Sequence, residues 1–307
     1  MLMNTQQTDA AEPLADPVSE TRDRAERYLE ARLSECAGAP ATLHAAMRDA
    51  ILAGGKRVRP ILCMMINKAA GGRNAEFAHA AGAAVEFVHC ASLILDDLPS
   101  MDDATMRRGR PAVHRIYGEA TAILAAIGLM NLAYEQIARA PSHDETIRAR
   151  AMRVLTEAIG TAGLVAGQEL DLREKATAQS AEDLDTINWM KTGVLFVAAA
   201  ELGAIAAGAS QAQLDEVRGF AHHLGLAFQT RDDILDQIAT SEETGKDSHK
   251  DDGSATLIRL AGFEAASSDC RSHLEKASAA LERSGLQQDE IAELICRVFK
   301  QVSEQPA

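Results

Sequence analysis

Proline is missing from more than half of the chain, and this feature constrains the fold more than any other. The 307 residues include eight prolines, yet residues 142 to 305 contain none. Proline disrupts helix interiors because it lacks a backbone N–H donor and its ring clashes with the preceding turn. So long a stretch without proline therefore favours uninterrupted helices in the C-terminal half.

Apolar residues recur at three- and four-residue spacing in several alanine-rich segments, and alternating strand-like runs are scarce. These segments are residues 78–95, 145–172, 183–208 and 211–238. No tandem repeat, low-complexity linker or break in composition indicates a second domain. The sequence predicts an all-α, single-domain helical bundle over residues 21–307, preceded by a mobile N-terminal tail at residues 1–20.

Composition excludes several classes of protein. A net charge of −14 argues against a general nucleic-acid binder, which needs a basic surface. The five cysteines are odd in number and lack CxxC spacing, which predicts reduced thiols, no zinc site and a cytoplasmic location. We find neither a signal peptide in the first twenty residues nor an apolar stretch of eighteen, so no stable membrane insertion is expected.

The segment LILDDLPSMDDATMRRGRP, residues 93–111, joins an apolar run to four aspartates and then to three arginines. The preceding residues, EFVHCASLILDD, would be apolar on all sides of a helix, which predicts that the helix is buried. Carboxylates clustered at the end of a buried helix repel one another unless positive charge neutralises them. An exposed acidic turn would explain this cluster equally well if it were the only one.

A second acidic cluster, FQTRDDILD at residues 228–236, places Asp232 and Asp236 four residues apart on one helix face. Two carboxylate pairs suit a hard cation, and magnesium prefers a few carboxylates plus substrate phosphates to a complete protein cage. A calcium loop fits poorly, because Leu98 or Pro99 falls where an EF-hand needs an oxygen ligand. The sequence therefore predicts magnesium bound together with a phosphorylated substrate.

Two basic segments supply candidate anion sites. GGKRVRP at residues 54–60 and RRGRP at residues 107–111 place lysine and arginine beside glycines, which allow a phosphate to approach the backbone closely. Either segment alone would more often be a solvated surface, but their occurrence with the acidic clusters predicts two bound anions. A nucleotide P-loop is excluded, because neither KTG at 191 nor TGK at 244 has the required upstream glycine.

With these motifs in hand, the chain resembles the trans-isoprenyl diphosphate synthases, most closely the bacterial synthases of geranylgeranyl diphosphate. The resemblance covers about residues 50–262 and runs through GGKRVRP, VHCASLILDDLPSMDD, RRGRPAVH, GQELDL, KTG, FQTRDDILD and TGKD in the family's order. It implies an isoprenoid-synthase type of bundle with a deep central cavity, and a homodimer.

The resemblance also implies the reaction. An allylic diphosphate ionises, isopentenyl diphosphate attacks the carbocation, and proton loss gives a longer allylic diphosphate. Magnesium, with three ions expected per site, would be held by Asp96, Asp102 and Asp232, with help from Asp97 and Asp236. Further implied roles are allylic-side positive charge at Arg107, Lys191 and Lys246, isopentenyl diphosphate binding at Lys56, Arg59, His89 and Arg108, and substrate contacts at Thr192 and Gln229.

One of these assignments can be checked against helix geometry. His89 lies seven residues before Asp96, nearly two helical turns, so the two residues share a face. A lone histidine beside Val88 and Cys90 is more often a satisfied core residue, but its position relative to Asp96 favours the cavity. His114, His222 and His223 have no such support, and we interpret them as structural.

Two positions depart from the family pattern. Ser254 lies where relatives usually have lysine, so one charge on the phosphate side is missing unless Lys250 replaces it. Ala126 and Ile127 occupy the place of a common Gly-Asp pair, in a helix expected to pack near the core or a dimer contact. No functional explanation for the second departure follows from the sequence.

Product length is expected to depend on the residues that precede the first aspartate motif. Ala91 and Ser92 are small, so they leave room for a chain longer than fifteen carbons, and Phe87 or Val88 would form the floor. The pairing of these small residues with the DDLPSMD motif resembles bacterial synthases of geranylgeranyl diphosphate, and this resemblance implies that product, a precursor of carotenoids. The alternatives are a farnesyl or longer-chain synthase, a terpene cyclase, and a noncatalytic partner subunit. A cyclase would not need the residues implied to bind isopentenyl diphosphate, Lys56, Arg59 and Arg108, and their presence argues against one. The intact aspartates of both clusters argue against a degenerate subunit.

Overall fold

The computed structural model describes residues 16–36, 38–142, 144–173, 181–238, 258 and 262–303. Its helices are α1 (Pro17–Glu35), α2 (Ala41–Leu52), α3 (Val58–Ala69), α4 (Ala75–Asp96), α5 (Val113–Tyr117), α6 (Glu119–Arg139), α7 (Glu145–Ile159), α8 (Leu164–Arg173), α9 (Ala181–Asn188), a π-helix (Trp189–Gly193), α10 (Val194–Ala207), α11 (Gln211–Ile238), α12 (Phe263–Ser284) and α13 (Asp289–Ser303). Two short antiparallel strands, β1 (Met106–Arg107) and β2 (Arg110–Pro111), form a hairpin between α4 and α5. The predicted all-α class is confirmed.

The first helix begins earlier than the sequence predicted. Asp16 caps α1 by accepting a hydrogen bond from the backbone N–H of Ser19 at 3.2 Å, and Pro17 occupies the first turn, where its missing donor costs nothing. The predicted boundary between tail and domain at residue 20 therefore lies inside α1. Residues 1–15 of the expected tail lie outside the described part of the chain.

The centre of the bundle is formed by α4 and α10. Thirteen of the fourteen residues of α10 and fifteen of the twenty-two residues of α4 are buried. Both helices are packed against α3, while α10 also contacts α7 and α11, and α4 also contacts α6. Their mostly small and aliphatic side chains allow close packing on every face. The prediction that EFVHCASLILDD forms a buried helix is confirmed, because α4 ends at Asp96 with fifteen buried residues. This arrangement carries the first aspartates to the end of a rigid core helix.

The predicted helical segment 145–172 is interrupted. The seventh helix ends at Ile159 and the eighth begins at Leu164. At the turn between them, a Cβ atom on Gly163 would lie 2.3 Å from the carbonyl oxygen of Ala158, so only glycine fits without a shift. The break redirects α8 toward the π-helix, which it contacts.

Within the described part of the chain, three helices are long and apolar enough to cross a membrane by length and composition alone, although no uninterrupted apolar stretch was found in the sequence. They span Ala75–Asp96, Glu119–Arg139 and Asp183–Ala207. The apolar windows of the first and third are 72% and 78% buried inside the protein, whereas that of the second is 44% buried. Packing within the bundle accounts for the apolar composition of the first and third.

The five cysteines form no disulfide bonds. Cys63, Cys90 and Cys270 are buried, Cys36 is half-buried and Cys296 is exposed. Burial raises the pKa of the Cys90 and Cys270 thiols to about 11, which keeps both protonated. That all five thiols are reduced stays a prediction.

A histidine cluster joins the π-helix to α11 and α12. The Nδ1 atoms of His223 and His273 lie 3.1 Å apart, and the His222 ring contacts Trp189 with 4.3 Å between ring centroids. Burial, followed by the neighbouring His222, lowers the pKa of His223 from 6.5 to about 4. A hydrogen bond between two imidazole Nδ1 atoms also needs at least one neutral ring.

We expect acid to destabilise the fold through this cluster. The unfolded chain binds a proton at His223 near pH 6.5, whereas the folded chain binds it only near pH 4. The contribution to stability is therefore complete above about pH 6.5 and is lost as the pH falls toward 4. Thermal melting should show a lower melting temperature at pH 5 than at pH 7.5, and His223→Asn should reduce this difference. An equally steep acid dependence in the variant would contradict the prediction.

Candidate active site

The loop after α4 folds back and brings Asp102 beside Asp96. The backbone N–H of Asp102 donates to the carbonyl oxygen of Asp96 at 2.9 Å, and the N–H of Ala104 donates to that of Asp97 at 3.1 Å. Partial withdrawal from water, followed by the nearby charge of Asp96, raises the pKa of Asp102 to about 6. The predicted clustering of carboxylates at the end of α4 is therefore present, and it favours a bound cation.

Asp97 points to a different partner from Asp96. Its Oδ1 accepts hydrogen bonds from Nε and Nη2 of Arg107 at 2.9 and 2.5 Å. The Asp97 carboxylate is almost completely buried. In this geometry Asp97 orients Arg107, and its predicted role as a metal ligand stays a prediction.

Lys191 lies between the buried Asp96 and a second, half-buried carboxylate, Asp171. Its Nζ is 2.5 Å from Oδ2 of Asp171 and 3.3 Å from both oxygens of Asp96. Gln168 also donates from Nε2 to Oδ1 of Asp96, at 2.5 Å. The charges of Asp96 and Asp171 raise the pKa of Lys191 against the opposing effect of burial, which keeps the ammonium group charged.

Gln168 and Asp171 were not predicted to belong to the site. The motif GQELDL contributed to the family resemblance, but no role was given to its residues. Their three-residue spacing on α8 places both side chains on one helix face, which is a signal that could have been used. Close backbone packing brings them into reach, because a Cβ atom on Gly167 would lie 2.3 Å from the Lys191 backbone nitrogen.

The π-helix connects the two acidic clusters. Lys191 contacts the first cluster, and the next residue, Thr192, donates from its hydroxyl to Oε1 of Gln229 on α11 at 3.1 Å. Gln229 in turn donates from Nε2 to Oδ1 of Asp233 at 2.9 Å. Short π-helical segments within α-helices are frequent at functional sites. This one lets neighbouring residues reach two separate helices.

The second cluster lies near the C-terminal end of α11. Oδ1 of Asp232 accepts a hydrogen bond from Nη1 of the buried Arg231 at 2.6 Å. Asp236 is within α11, but its side chain lies outside the described part of the chain, as do Lys246, Lys250 and Ser254. Their predicted roles stay predictions.

The two basic segments meet beside α4. Nη1 of Arg108 donates to the carbonyl oxygen of Gly54 at 2.6 Å, which joins the hairpin to the GGKRVRP segment. Burial, followed by the charges of Arg59 and Arg108, lowers the pKa of His89 well below 6.5, so this ring is neutral near pH 7. His89 therefore lies among the arginines with which the resemblance grouped it. Lys56 is exposed at the start of this segment.

Arg59 is a buried cation with an incomplete set of partners. Only 7% of the residue is exposed, and its Nε has no hydrogen-bond partner among the described residues. Its guanidinium carbon lies 4.7 Å from the ring centroid of Phe196. Burial lowers the pKa of Arg59, and the charges of Glu86 and Asp232 act against this effect. A buried guanidinium of this kind is suited to an anionic ligand.

The donor groups present suit a magnesium site that is completed by substrate better than a metal site that is formed by protein ligands alone. Among the described residues, no group of three or more His, Cys, Asp or Glu side chains could by itself hold a metal ion. Asp96, Asp102 and Asp232 offer hard carboxylate oxygens, while buried or half-buried cations lie nearby. This is the arrangement expected when magnesium takes its remaining ligands from a phosphorylated substrate.

The residues expected to control product length lie along α4. Phe87, Val88 and Ala91 are completely buried in the core, whereas Ser92 is half-buried and donates to the carbonyl oxygen of His89 at 2.8 Å. Ser92 is one turn before Asp96 and therefore lies on the same helix face. The more accessible of the two predicted small positions is thus Ser92.

Comparison with known proteins identifies the family. The sequence profile described as "Polyprenyl synthetase" matches residues 40–296. The chain is 43% identical to Geranylgeranyl pyrophosphate synthase 4 of Arabidopsis thaliana over 77% of its own length and 66% of that protein. It is 42% identical to Geranylgeranyl diphosphate synthase of Pantoea ananas, over 84% of the chain and 87% of the relative.

A solved structure has the same fold. It is the geranyltransferase of Helicobacter pylori complexed with magnesium and isoprenyl diphosphate, which superposes with a TM-score of 0.80 at 25% identity, covering 96% of this chain and all of that one. The carboxylate clusters and the basic segments agree with the family profile, which matches most of the chain. The chain belongs to the polyprenyl synthetase family.

Proposed function

We propose that the protein is a magnesium-dependent prenyltransferase that condenses isopentenyl diphosphate with an allylic diphosphate, giving geranylgeranyl diphosphate. The observation that carries this proposal is the junction of the two acidic clusters at Lys191 and Thr192. One residue contacts Asp96 and the next contacts Gln229. Such a junction suits a diphosphate that must be held from both helices while it leaves. The named activities of the Arabidopsis and Pantoea relatives support the same reaction.

Magnesium would be held by Asp96, Asp102 and Asp232, and the predicted set also includes Asp97 and Asp236. When bound, the ions supply positive charge to the departing diphosphate. Three ions per site remain our proposal, and the Helicobacter neighbour solved with magnesium and isoprenyl diphosphate supports the choice of metal. The protein adds the ammonium group of Lys191, which is already fixed between two carboxylates.

The condensation breaks the allylic carbon–oxygen bond and forms a carbon–carbon bond with the terminal alkene carbon of isopentenyl diphosphate. The attack leaves a tertiary cation at C3 of isopentenyl diphosphate, and a proton is then lost from C2, so that one diphosphate and one proton leave for each five-carbon unit added. Lys191 and Arg107 provide fixed positive charge for the leaving group, because charge placed in advance stabilises a transition state without reorganisation. The buried apolar side chains of α4 exclude water, which would otherwise trap the carbocation.

Isopentenyl diphosphate is assigned to the basic side of α4. Arg59 has an unpartnered buried Nε, Arg108 is held by the Gly54 carbonyl, and Lys56 is exposed at the start of the same segment. A neutral His89 can donate a hydrogen bond there without adding to the repulsion among the arginines. These features support a preformed diphosphate site that is separate from the acidic clusters.

An assay of products separates this proposal from its alternatives. The purified chain is incubated with magnesium, isopentenyl diphosphate and farnesyl diphosphate, and organic-soluble products are analysed before and after dephosphorylation. A longer prenyl alcohol after dephosphorylation is expected. A cyclic hydrocarbon without added isopentenyl units would indicate a cyclase, and a chain that turns over only when mixed with a second subunit would indicate a partner role.

Lys56→Ala and Arg59→Ala are expected to raise the KM for isopentenyl diphosphate about 10- to 100-fold, since each removes a charged contact worth about 1.5–3 kcal/mol. The KM for the allylic substrate should change much less. Steady-state kinetics with each substrate varied in turn provide the measurement. Arg283→Ala, which removes an exposed surface ion pair with Glu216, is a control expected to change neither constant. Equal effects on both substrates would contradict the division of the site.

Product length is expected to shorten when the face of α4 beneath Asp96 is filled. Ser92→Phe and Ala91→Tyr should shift the main product from twenty to fifteen carbons, and the half-buried Ser92 should tolerate the ring better than the fully buried Ala91. Phe87→Ala should permit longer products if that ring forms the floor. Chromatography of the dephosphorylated alcohols measures the length. A wild-type product of fifteen carbons, or of thirty and more, would contradict the assignment.

A second copy of the chain is proposed to cover the exposed face of α6. Three large apolar side chains are exposed on one stretch of this helix: Ile123 by 41%, Leu124 by 56% and Ile127 by 58%. Neighbouring exposed apolar side chains of this kind are typical of a protein–protein contact. The departure at Ala126 and Ile127 thus has two parts, since Ala126 is in the core and Ile127 enlarges the apolar face. Light scattering of the purified chain tests for the dimer.

Carotenoid synthesis as the downstream use of the product, and a cytoplasmic location of the protein, stay predictions.

A further inference from the structure

Arg57 and Glu86 form a buried ion pair that has no part in the proposed reaction. Nη1 of Arg57 donates to Oε1 of Glu86 at 2.8 Å, and the two side chains are 2% and 3% exposed. Nη2 of Arg57 also makes a very short hydrogen bond to the carbonyl oxygen of Ile51. Its Nε lies 3.7 Å from Oε1 of Glu26. The Arg57 guanidinium is therefore fixed from three helices.

Stability alone is a weak reason for such a pair. Removing two charges from water is costly, and the replacement of a buried ion pair by well-packed apolar residues is often neutral or stabilising. A buried pair that is present despite this cost is a candidate for a role in positioning other groups. The residues around Arg57 indicate which groups these are.

The backbone of Arg57 has an unusual conformation at the point where the GGKRVRP segment enters α3. Its φ angle is +52°, in the left-handed region that a residue with a Cβ atom rarely adopts. Arg57 is also the residue immediately before α3, with Lys56 on one side and Arg59 in the first turn of the helix on the other. This conformation therefore sets the direction in which the chain passes from Lys56 into α3.

Glu86 acts on the same group of cations from α4. It lies one helical turn before His89. Besides pairing with Arg57, its carboxylate is the strongest of the charges that counteract the effect of burial on the pKa of Arg59. The Glu86 side chain thus contacts one arginine directly and stabilises the charge of another. Neither Glu86 nor Arg57 needs to touch a substrate to do this.

We propose that the Arg57–Glu86 pair is a positioning device for the isopentenyl diphosphate site, which holds Lys56 and Arg59 in the geometry that binds diphosphate. This inference rests on the proposed function. A pair that serves only the fold would affect stability and both substrates alike. A positioning pair affects the substrate bound beside it.

The test replaces both charges together. In Arg57→Met/Glu86→Leu neither member of the pair is left buried without the other, so the fold should be retained. We expect the KM for isopentenyl diphosphate to rise about 10- to 100-fold, because a displacement of about 1 Å can cost that much. The KM for the allylic substrate should change less than about threefold, since charge deletions distant from that substrate have small effects. Steady-state kinetics and thermal melting are measured on the same preparations.

The matched control is Arg218→Met/Glu201→Leu. Arg218 donates from Nε to Oε2 of Glu201 at 2.9 Å, and Glu201 is also buried, but this pair joins α10 to α11 away from the basic segments. Its removal is expected to leave both KM values unchanged. If both double variants raise both KM values equally, the effect is structural and the positioning role is overturned.

Two further variants keep the proposal falsifiable. Arg57→Lys retains the charge but cannot contact Glu86 and the Ile51 carbonyl together, so it should raise the isopentenyl KM by a smaller factor even if the double variant does not fold. A wild-type KM in Arg57→Lys, together with a raised KM in Lys56→Ala, would overturn the positioning role and leave the proposed function intact. An unchanged KM in Lys56→Ala would overturn the site itself, and the inference with it.

Discussion

Asp96→Ala and Asp232→Ala are each expected to lower kcat by at least about 10²-fold while the fold is retained. Each change removes carboxylate oxygens that hold magnesium against the leaving diphosphate, and the loss of one such electrostatic contact costs on the order of 3 kcal/mol or more. Asp96 ends a core helix and Asp232 is half-buried on α11, so neither truncation creates a large cavity. Steady-state rates at saturating magnesium and substrates, with circular dichroism as the check on folding, provide the measurement.

Asp103→Asn is the matched control for the first of these variants. Asp103 lies next to Asp102 in the same loop but pairs with the exposed Arg115 at 2.8 Å. An exposed pair of this kind contributes little, so the control should retain nearly all activity. Near-normal turnover in Asp96→Ala or Asp232→Ala, or an equal loss in Asp103→Asn, would contradict the assignment of the metal-binding carboxylates.

Lys191→Ala is expected to be the second most damaging change. It removes the ammonium group that lies between Asp96 and Asp171, so the carboxylates of the first cluster repel one another without compensation. We expect kcat to fall about 10²-fold and the KM for the allylic substrate to rise, since fixed positive charge is lost where the diphosphate departs. The KM for isopentenyl diphosphate should stay within a factor of about three.

Lys68→Ala is a suitable control for Lys191→Ala. Lys68 pairs with Glu290 at 2.5 Å, but its side chain is 67% exposed and lies at the end of α3. Kinetics with each substrate varied separately, together with pyrophosphate release in a single turnover, would separate binding from ionisation. A Lys191→Ala enzyme with wild-type single-turnover rates would contradict the role of this residue in the departure of the diphosphate.

The sequence predicted the helices well because their pattern is strong and local. Long alanine-rich segments without proline can form little else, and an apolar surface on every side required α4 to be buried. The ends of the helices were predicted less accurately than their existence. The glycine turn at residues 160–163 divides one predicted helix, and Asp16 with Pro17 begins α1 earlier than the expected tail allowed.

Contacts between distant elements were harder to predict than the elements themselves. Gln168 and Asp171 join the site only because Gly167 lets α8 approach the π-helix, and the pairing of Asp97 with Arg107 depends on how the hairpin folds back. The left-handed backbone conformation of Arg57 could not be predicted from the spacing of apolar residues either, because glycine or asparagine is the residue that usually indicates this conformation. Motif spacing identifies the chemical groups, whereas tertiary packing decides which of them meet.

Cooperative binding of magnesium and diphosphate is the property that most directly distinguishes this site from an ordinary acidic surface. Isothermal titration calorimetry with a non-ionisable farnesyl diphosphate analogue measures it, with magnesium titrated in the absence and presence of the analogue. We expect magnesium to bind weakly to the protein alone and much more tightly when the analogue is present, and Asp96→Ala to lose this difference. Tight magnesium binding without diphosphate, or equal binding of the analogue in EDTA, would contradict the proposed active site.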